Sequence, residues 1–200
     1  MAYTTEQKVK NYLGISSLPD PLTSAALEDF INAVDAFIDN YCNRTFESSD
    51  TSKYYDGSGS SELLIDDLIS LTKIEILDDD GNVNETIDSS DEYWLYPENK
   101  TPKNRIVLNA DNAPIAVFPK GNQNIKITGT FGYQSSVPDD IVLAATKLVA
   151  GIIEEKYIKD VGSIKSEKLG EYSVTIQDIK ETGRNLGVFD ILDRYRDIVV

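Results

Sequence analysis

The sequence predicts an α+β protein, a helical bundle core with an inserted small antiparallel β subdomain. Three observations carry that expectation. Two stretches have apolar residues at helical spacing, 27–42 and 141–152, and they lie almost a hundred residues apart. The stretch between them breaks into short segments of β character separated by turn signals. Hydrophobic residues make up 40% of the 200 residues and charged residues 26%, a balance that supports a packed core and argues against global disorder.

Taken in order, Thr4-Thr5-Glu6-Gln7 fits a capping box with Thr4 as N-cap, and Val9, Tyr12 and Leu13 give a short apolar stripe. Gly14 is placed to end that helix in the left-handed conformation. Asp20-Pro21 reads as a cap and a first-turn proline, opening a long helix to about Arg44. Its apolar positions are Leu27, Phe30, Ile31, Val34, Phe37, Ile38, Tyr41 and Cys42, so Cys42 is expected in the core. The run SSDTSKYYDGSGSSE is expected to be loop. Strands are expected at 62–65, 71–77, 92–96, 105–108 and 125–131, with DDDGN (78–82) as a hairpin turn. Pro138 with Asp139 and Asp140 opens the next helix, whose buried side is Ile141, Ala144, Ala145, Leu148 and Ile152. It fades near Lys159. DIKETGRNLG (178–187) reads as a linker, and the terminal segment joined through its flexible run ETGRNLG is expected to order only on binding. A short amphipathic helix carrying Phe189, Leu192, Tyr195 and Val199 closes the chain. The expected division is 1–51 for the N-terminal helices, 52–134 for the β subdomain, 135–160 for the core helix, and 161–200 for a strand-like loop and the C-terminal helix. The long helices flanking the insertion should pack on each other.

The net charge is −15 and acidity is spread along the whole chain, which disfavours sequence-wide attraction to nucleic acid. No histidine is present, which removes the commonest general base and zinc ligand. No catalytic residue, metal ligand or cofactor site is therefore expected. The apolar runs are too short to span a bilayer, and the N-terminus has no apolar signal core. The single cysteine excludes an internal disulfide and fits a reducing compartment.

Several motifs reduce to simple readings. With Gly81 at the sixth position of a calcium loop, Ile76 and Ile87 fall where ligands are needed, so DDDGN is a turn. GSGSSE lacks the ending of a phosphate-binding loop and reads as a flexible linker. Gly129-Thr130-Phe131-Gly132-Tyr133 reads as a strand end with a bulge or tight turn. Tyr93, Trp94 and Tyr96 read as strand residues of the core. The segment SIKSEKLGEYSVTI (163–176) stands apart. Its alternating end, Tyr172–Ile176, needs another strand to pair with, either its own upstream half or another chain.

In this order along the chain, VKNYLGI (9–15), FIDNYCNRTF (37–46), YYDGSGSSELLIDD (54–67), NIKITGTFGYQSSVPDDI (124–141), IVLAATKLVAGII (141–153) and SIKSEKLGEYSVTI (163–176) resemble the head–tail connector, or adaptor, proteins of long-tailed bacteriophages. The resemblance implies a structural virion protein of the neck, made in the host cytoplasm. It implies a ring, usually of twelve subunits, beneath the portal protein. Such a ring extends the DNA channel and offers a platform for the stopper or tail-completion protein. DNA passes through without specific binding, and no membrane, cofactor or enzymatic activity is implied. Carried onto this chain, the portal and subunit contacts fall on Ser163, Lys165, Ser166, Lys168, Leu169, Gly170, Tyr172 and Ser173. The β insertion is large for such proteins. The competing expectation is a tail or baseplate accessory that binds a host-surface glycan through Tyr93, Trp94 and Tyr96. It requires those aromatics exposed, whereas the connector reading requires them buried.

Overall fold

The structure, a computed structural model, describes residues 2–158 and 175–197. Its elements run α1 (Glu6–Leu13), α2 (Ser24–Cys42), β1 (Ser49–Gly57), β2 (Glu62–Leu77), β3 (Val83–Ile87), β4 (Tyr93–Tyr96), β5 (Lys103–Leu108), β6 (Gly121–Phe131), α3 (Asp139–Ile153), a π-helical turn (Glu154–Ile158), α4 (Ile176–Asn185) and α5 (Phe189–Leu192). The fold is α+β, with helices and an antiparallel sheet in one chain. The chain divides into two compact units, 1–43 with 137–200, and 44–136. The β unit is thus not small. It takes up nearly half of the chain and has a core of its own.

The helical unit is arranged around α3, which packs against α1, α2, α4 and α5. The expected pairing of the two helices that flank the insertion is present. α3 is buried at Ile141, Ala144, Ala145, Thr146, Leu148, Val149, Ala150, Ile152 and Ile153, so it presents little surface to water. Small residues make this possible. A Cβ added at Gly151 would lie 2.5 Å from Thr182 Cγ2 and 2.8 Å from Leu186 Cδ1, so α4 reaches α3 only where the side chain is missing. A polar pair inside is satisfied: the Thr4 and Thr146 hydroxyls lie 2.7 Å apart, and Thr146 also donates to the Val142 carbonyl. Cys42 is fully buried, with its thiol directed at the Leu192 carbonyl at 3.6 Å.

Several helix ends differ from expectation. Thr5, not Thr4, caps α1, accepting from the Lys8 N–H, because the Thr4 hydroxyl is engaged with Thr146. Gly14 ends α1 at φ 69°, as its position predicted. α2 starts at Ser24 with Thr23 as its cap, three residues later than Asp20-Pro21 suggested, since the Thr23 hydroxyl accepts from the Ala26 N–H. The largest correction is at 178–187, where the expected linker is mostly helix α4. Ile179, Thr182 and Gly183 form its buried side, and a Cβ at Gly183 would press on the Phe189 ring at 3.0 Å. Glycine here marks close packing rather than freedom. α5 is a single turn, anchored by Leu192 and by bonds from Tyr41 to Asp193 and from Tyr195 to Asp140.

In the β unit the strand order is β1-β6-β2-β5-β4, with β3 also on β2. The two expected strands at 62–65 and 71–77 are one strand, β2. Its first half pairs β5, its second half pairs β3, and register shifts between Leu68 and Lys73 bend it. The interior holds Leu63, Ile65, Leu68, Ile74, Ile76, Ile87, Ile106, Leu108, Phe118, Ile125, Ile127 and Phe131. Two strands went unforeseen. β1 lies in the run read as loop, because its residues are mostly polar and exposed on an edge, and β3 exposes all but Ile87. GSGSSE is a pinned connection: Gly59 N–H donates to the Phe118 carbonyl, and Phe118 N–H to the Ser60 carbonyl. The unit's two ends meet where Tyr133 N–H donates to the Thr45 carbonyl and Phe46 packs on the Tyr133 ring. Gly132 sits there at φ 132°, and a Cβ would be 2.5 Å from the Glu47 carbonyl oxygen.

Gly151→Ala should cost about 1–3 kcal/mol of stability through overpacking against α4. Adding Thr182→Ala should return at least half of that loss in urea unfolding. Thr182 Oγ1 is buried with no hydrogen-bond partner among the described residues, so its removal strands no partner. An undiminished loss in the double variant would contradict this packing.

Candidate functional site: the stem of the 159–174 segment

The contact residues expected from sequence, Ser163, Lys165, Ser166, Lys168, Leu169, Gly170, Tyr172 and Ser173, lie outside the described residues. The structure does describe both ends of the segment that holds them. On one side α3 passes into the π-helical turn Glu154–Ile158. A π turn widens the helix and re-aims the residues that follow, and such turns recur at functional positions. On the other side Thr175 caps α4 in a reciprocal capping box. The Thr175 hydroxyl accepts from the Asp178 N–H, while the Asp178 carboxylate accepts from the Thr175 N–H at 2.9 Å. Thr175 and Ile176, the end of the expected strand-like run, therefore belong to a helix start.

The two ends are tied to each other. Lys156 Nζ donates to Asp178 Oδ2 at 2.8 Å, across 22 residues of sequence. The Lys156 bond, then the bond from the Thr175 backbone, hold the Asp178 carboxyl below its ordinary value. Flanking this clasp, Ile158 is 39% exposed and Ile176 65% exposed. Fixed ends lower the chain entropy that a connecting segment loses on binding. The clasp residues were missed at the sequence level, although Thr175-Ile176-Gln177-Asp178 carries the Thr-x-x-Asp signature of a helix start.

Among the described residues no group of three or more His, Cys, Asp or Glu could hold a metal ion. The DDDGN turn is organised by Asp78, whose carboxylate accepts from the Asp80 and Asn82 N–H groups at 3.0 and 2.8 Å. No helix among the described residues is long and apolar enough to cross a membrane. The three aromatics of β4 are not uniformly buried. Tyr93 packs on the β core, Tyr96 is half-buried beneath the Arg105 guanidinium, and Trp94 is 49% exposed. The expectation of three buried rings fails for Trp94, which lies on the outer side of an edge strand.

The family model described as "Head completion protein" matches residues 2–197. The chain belongs to the head completion protein family. Its fold is also that of a chain in the structure titled "Neck of empty GTA particle computed with C6 symmetry", at 15% identity and a TM-score of 0.55. A second similar chain comes from "Virion of native gene transfer agent (GTA) particle", at 18% identity and a TM-score of 0.56. Each likeness covers 97% of this chain and 89% of the other. A comparison with curated proteins finds no match. Membership of this family makes the chain a virion structural component.

Asp178→Ala should lower stability by about 1–2 kcal/mol at pH 7, the range for a lost capping residue. The folded carboxyl titrates below its ordinary value of 3.8. Its stabilisation is therefore present above that value and is lost as pH falls through the lower, folded one. The difference in melting temperature between parent and variant should hold from pH 7 to about pH 5 and narrow below pH 4. A gap independent of pH would contradict the ion pair.

Proposed function

We propose that this head completion protein is a head–tail connector, or adaptor, with no enzymatic role. In this reading it assembles as a ring beneath the portal, extends the DNA channel, and provides the platform for the stopper or tail-completion protein. The observation that carries the reading is the family match across nearly the whole chain. Fold likeness to a chain in a neck particle whose title specifies C6 symmetry supports a ring with a copy number divisible by six, twelve among them. The portal contact is assigned to 163–173, presented from the Lys156–Asp178 clasp and flanked by Ile158 and Ile176.

The charge fits a conduit. Twelve copies of a −15 chain make a strongly anionic ring, which repels duplex phosphates and lets DNA slide. Of the helices, α2 suits the channel wall best. It carries four acids and no base, and Glu28 and Asp29 are exposed. Glu28→Lys with Asp29→Lys should slow DNA release from particles, most at low salt. Unchanged release kinetics would remove α2 from the wall.

The exposure of Trp94 is the one observation that favours the second reading, a tail or baseplate accessory that binds glycan. It supplies a single stacking surface, since Tyr93 is turned into the core and Arg105 covers Tyr96. The direct test of the first reading is the variant Leu169→Asp with Tyr172→Ala, mixed with portal rings and sedimented. Parent protein should co-sediment and the variant should lose at least tenfold in affinity while keeping its melting temperature. Equal co-sedimentation would remove 163–173 from the portal contact.

A further inference from the structure

The outer side of β2, β5 and β4 carries a surface that the connector reading does not use. Register sets Leu64, Arg105 and Tyr96 in one row, and Glu62, Val107 and Trp94 in the next. The alternate residues Leu63, Ile106 and Leu95 face the core. In the outer rows Leu64 is 75% exposed and Trp94 49%. Arg105 stacks on Tyr96 at 4.8 Å and pairs with Glu62 at 3.3 Å, so its charge is engaged within the chain. Exposed Leu and Trp beside a stacked Arg–Tyr pair form the kind of residue set that anchors protein interfaces.

This surface ends in an open sheet edge. Among the described residues β4 pairs only with β5. Asn109 N–H donates to the Glu92 carbonyl at 2.8 Å, which fixes the phase of the antiparallel ladder. Trp94 and Tyr96 then bond toward β5, while the N–H and C=O of Tyr93 and Leu95 point to the open side. An unpaired edge of this kind is a template for an added strand. The charge on the strand's flanks is mostly acidic, with the exposed Lys100 beyond it. Asp88, Asp91, Glu92 and Glu98 bracket the strand, and no lysine or arginine lies between 88 and 98. The nearby Lys103 ammonium is taken up by the Pro97 and Glu98 carbonyls, 2.7 Å from each.

We infer that β4 receives an extended polypeptide segment from another protein, added antiparallel or parallel to its open edge. The added segment carries an apolar residue over Trp94 and Leu64, and basic residues opposite Glu98 and Asp88. A second copy of this chain carries a net charge of −15, so its acidic surface complements this edge poorly, and the test separates it from a basic partner. The inference is independent of the portal assignment, and the isolated chain suffices to test it.

Trp94 is the only tryptophan, so its fluorescence reports on this surface alone. The probe is a synthetic octapeptide of alternating valine and threonine flanked by lysines, with a glutamate-flanked version as control. The lysine peptide should shift Trp94 emission to the blue and saturate, with a Kd on the order of 100 µM at low salt. Asp88→Asn with Glu98→Gln should weaken it at least fivefold. Amide exchange should slow at Tyr93 and Leu95 and stay unchanged at Trp94 and Tyr96. The inference is overturned by an unmoved emission at millimolar peptide with the protein folded, or by equal binding of the glutamate peptide. It is overturned equally by a shift that follows protein concentration alone, which assigns the edge to a second copy, or by a response to oligosaccharides in place of peptide.

Discussion

The helical unit depends on one constraint: α3 is buried on nearly every side. A helix in that position must let several others approach at once, and only small residues permit it. Ala144, Ala145, Ala150 and Gly151 provide the approach, and Leu148, Ile152 and Ile153 fill the remaining space. α1, α2, α4 and α5 all find their apolar sides satisfied against this one element. The 44–136 insertion is tolerated because the two helices it separates are bound to each other. Chain connectivity between them is therefore free to run through a second unit with its own core.

From α3 follows the geometry at its far end. The helix runs into a π turn, and the next described residues, from Thr175, start a helix clasped back to it through Lys156 and Asp178. Residues 158 and 175 are therefore held at a fixed point. For a protein whose work is assembly, such a point matters more than a pocket, since binding strength depends on how little order must be gained on docking. The β unit presents a different kind of surface, an open edge with half-exposed aromatics.

Much of this was legible in the sequence, and what was not has physical causes. The long helices were plain because their apolar stripes repeat over several turns, and Cys42 sat on a stripe. Gly14 was a readable stop. β1 and β3 were hidden because an edge strand needs few apolar residues, and β3 has only Ile87 buried. α4 was hidden by Gly183, which reads as a breaker until Phe189 is seen against it. Trp94 was read as core because alternation shows only that a strand has two faces, not which face meets water. The clasp was half visible, in the capping signature of Thr175 and Asp178. Lys156 as its partner was invisible, because the contact closes over 22 residues.

The central claim is that this family member joins the portal as a ring. The measurement that tests it most directly is native mass spectrometry of the chain mixed with portal rings from the same particle. The account predicts one complex whose added mass equals about one copy of this chain per portal subunit, with no free intermediate stoichiometry dominating. Folded protein that adds no mass to the portal at micromolar concentration would contradict it.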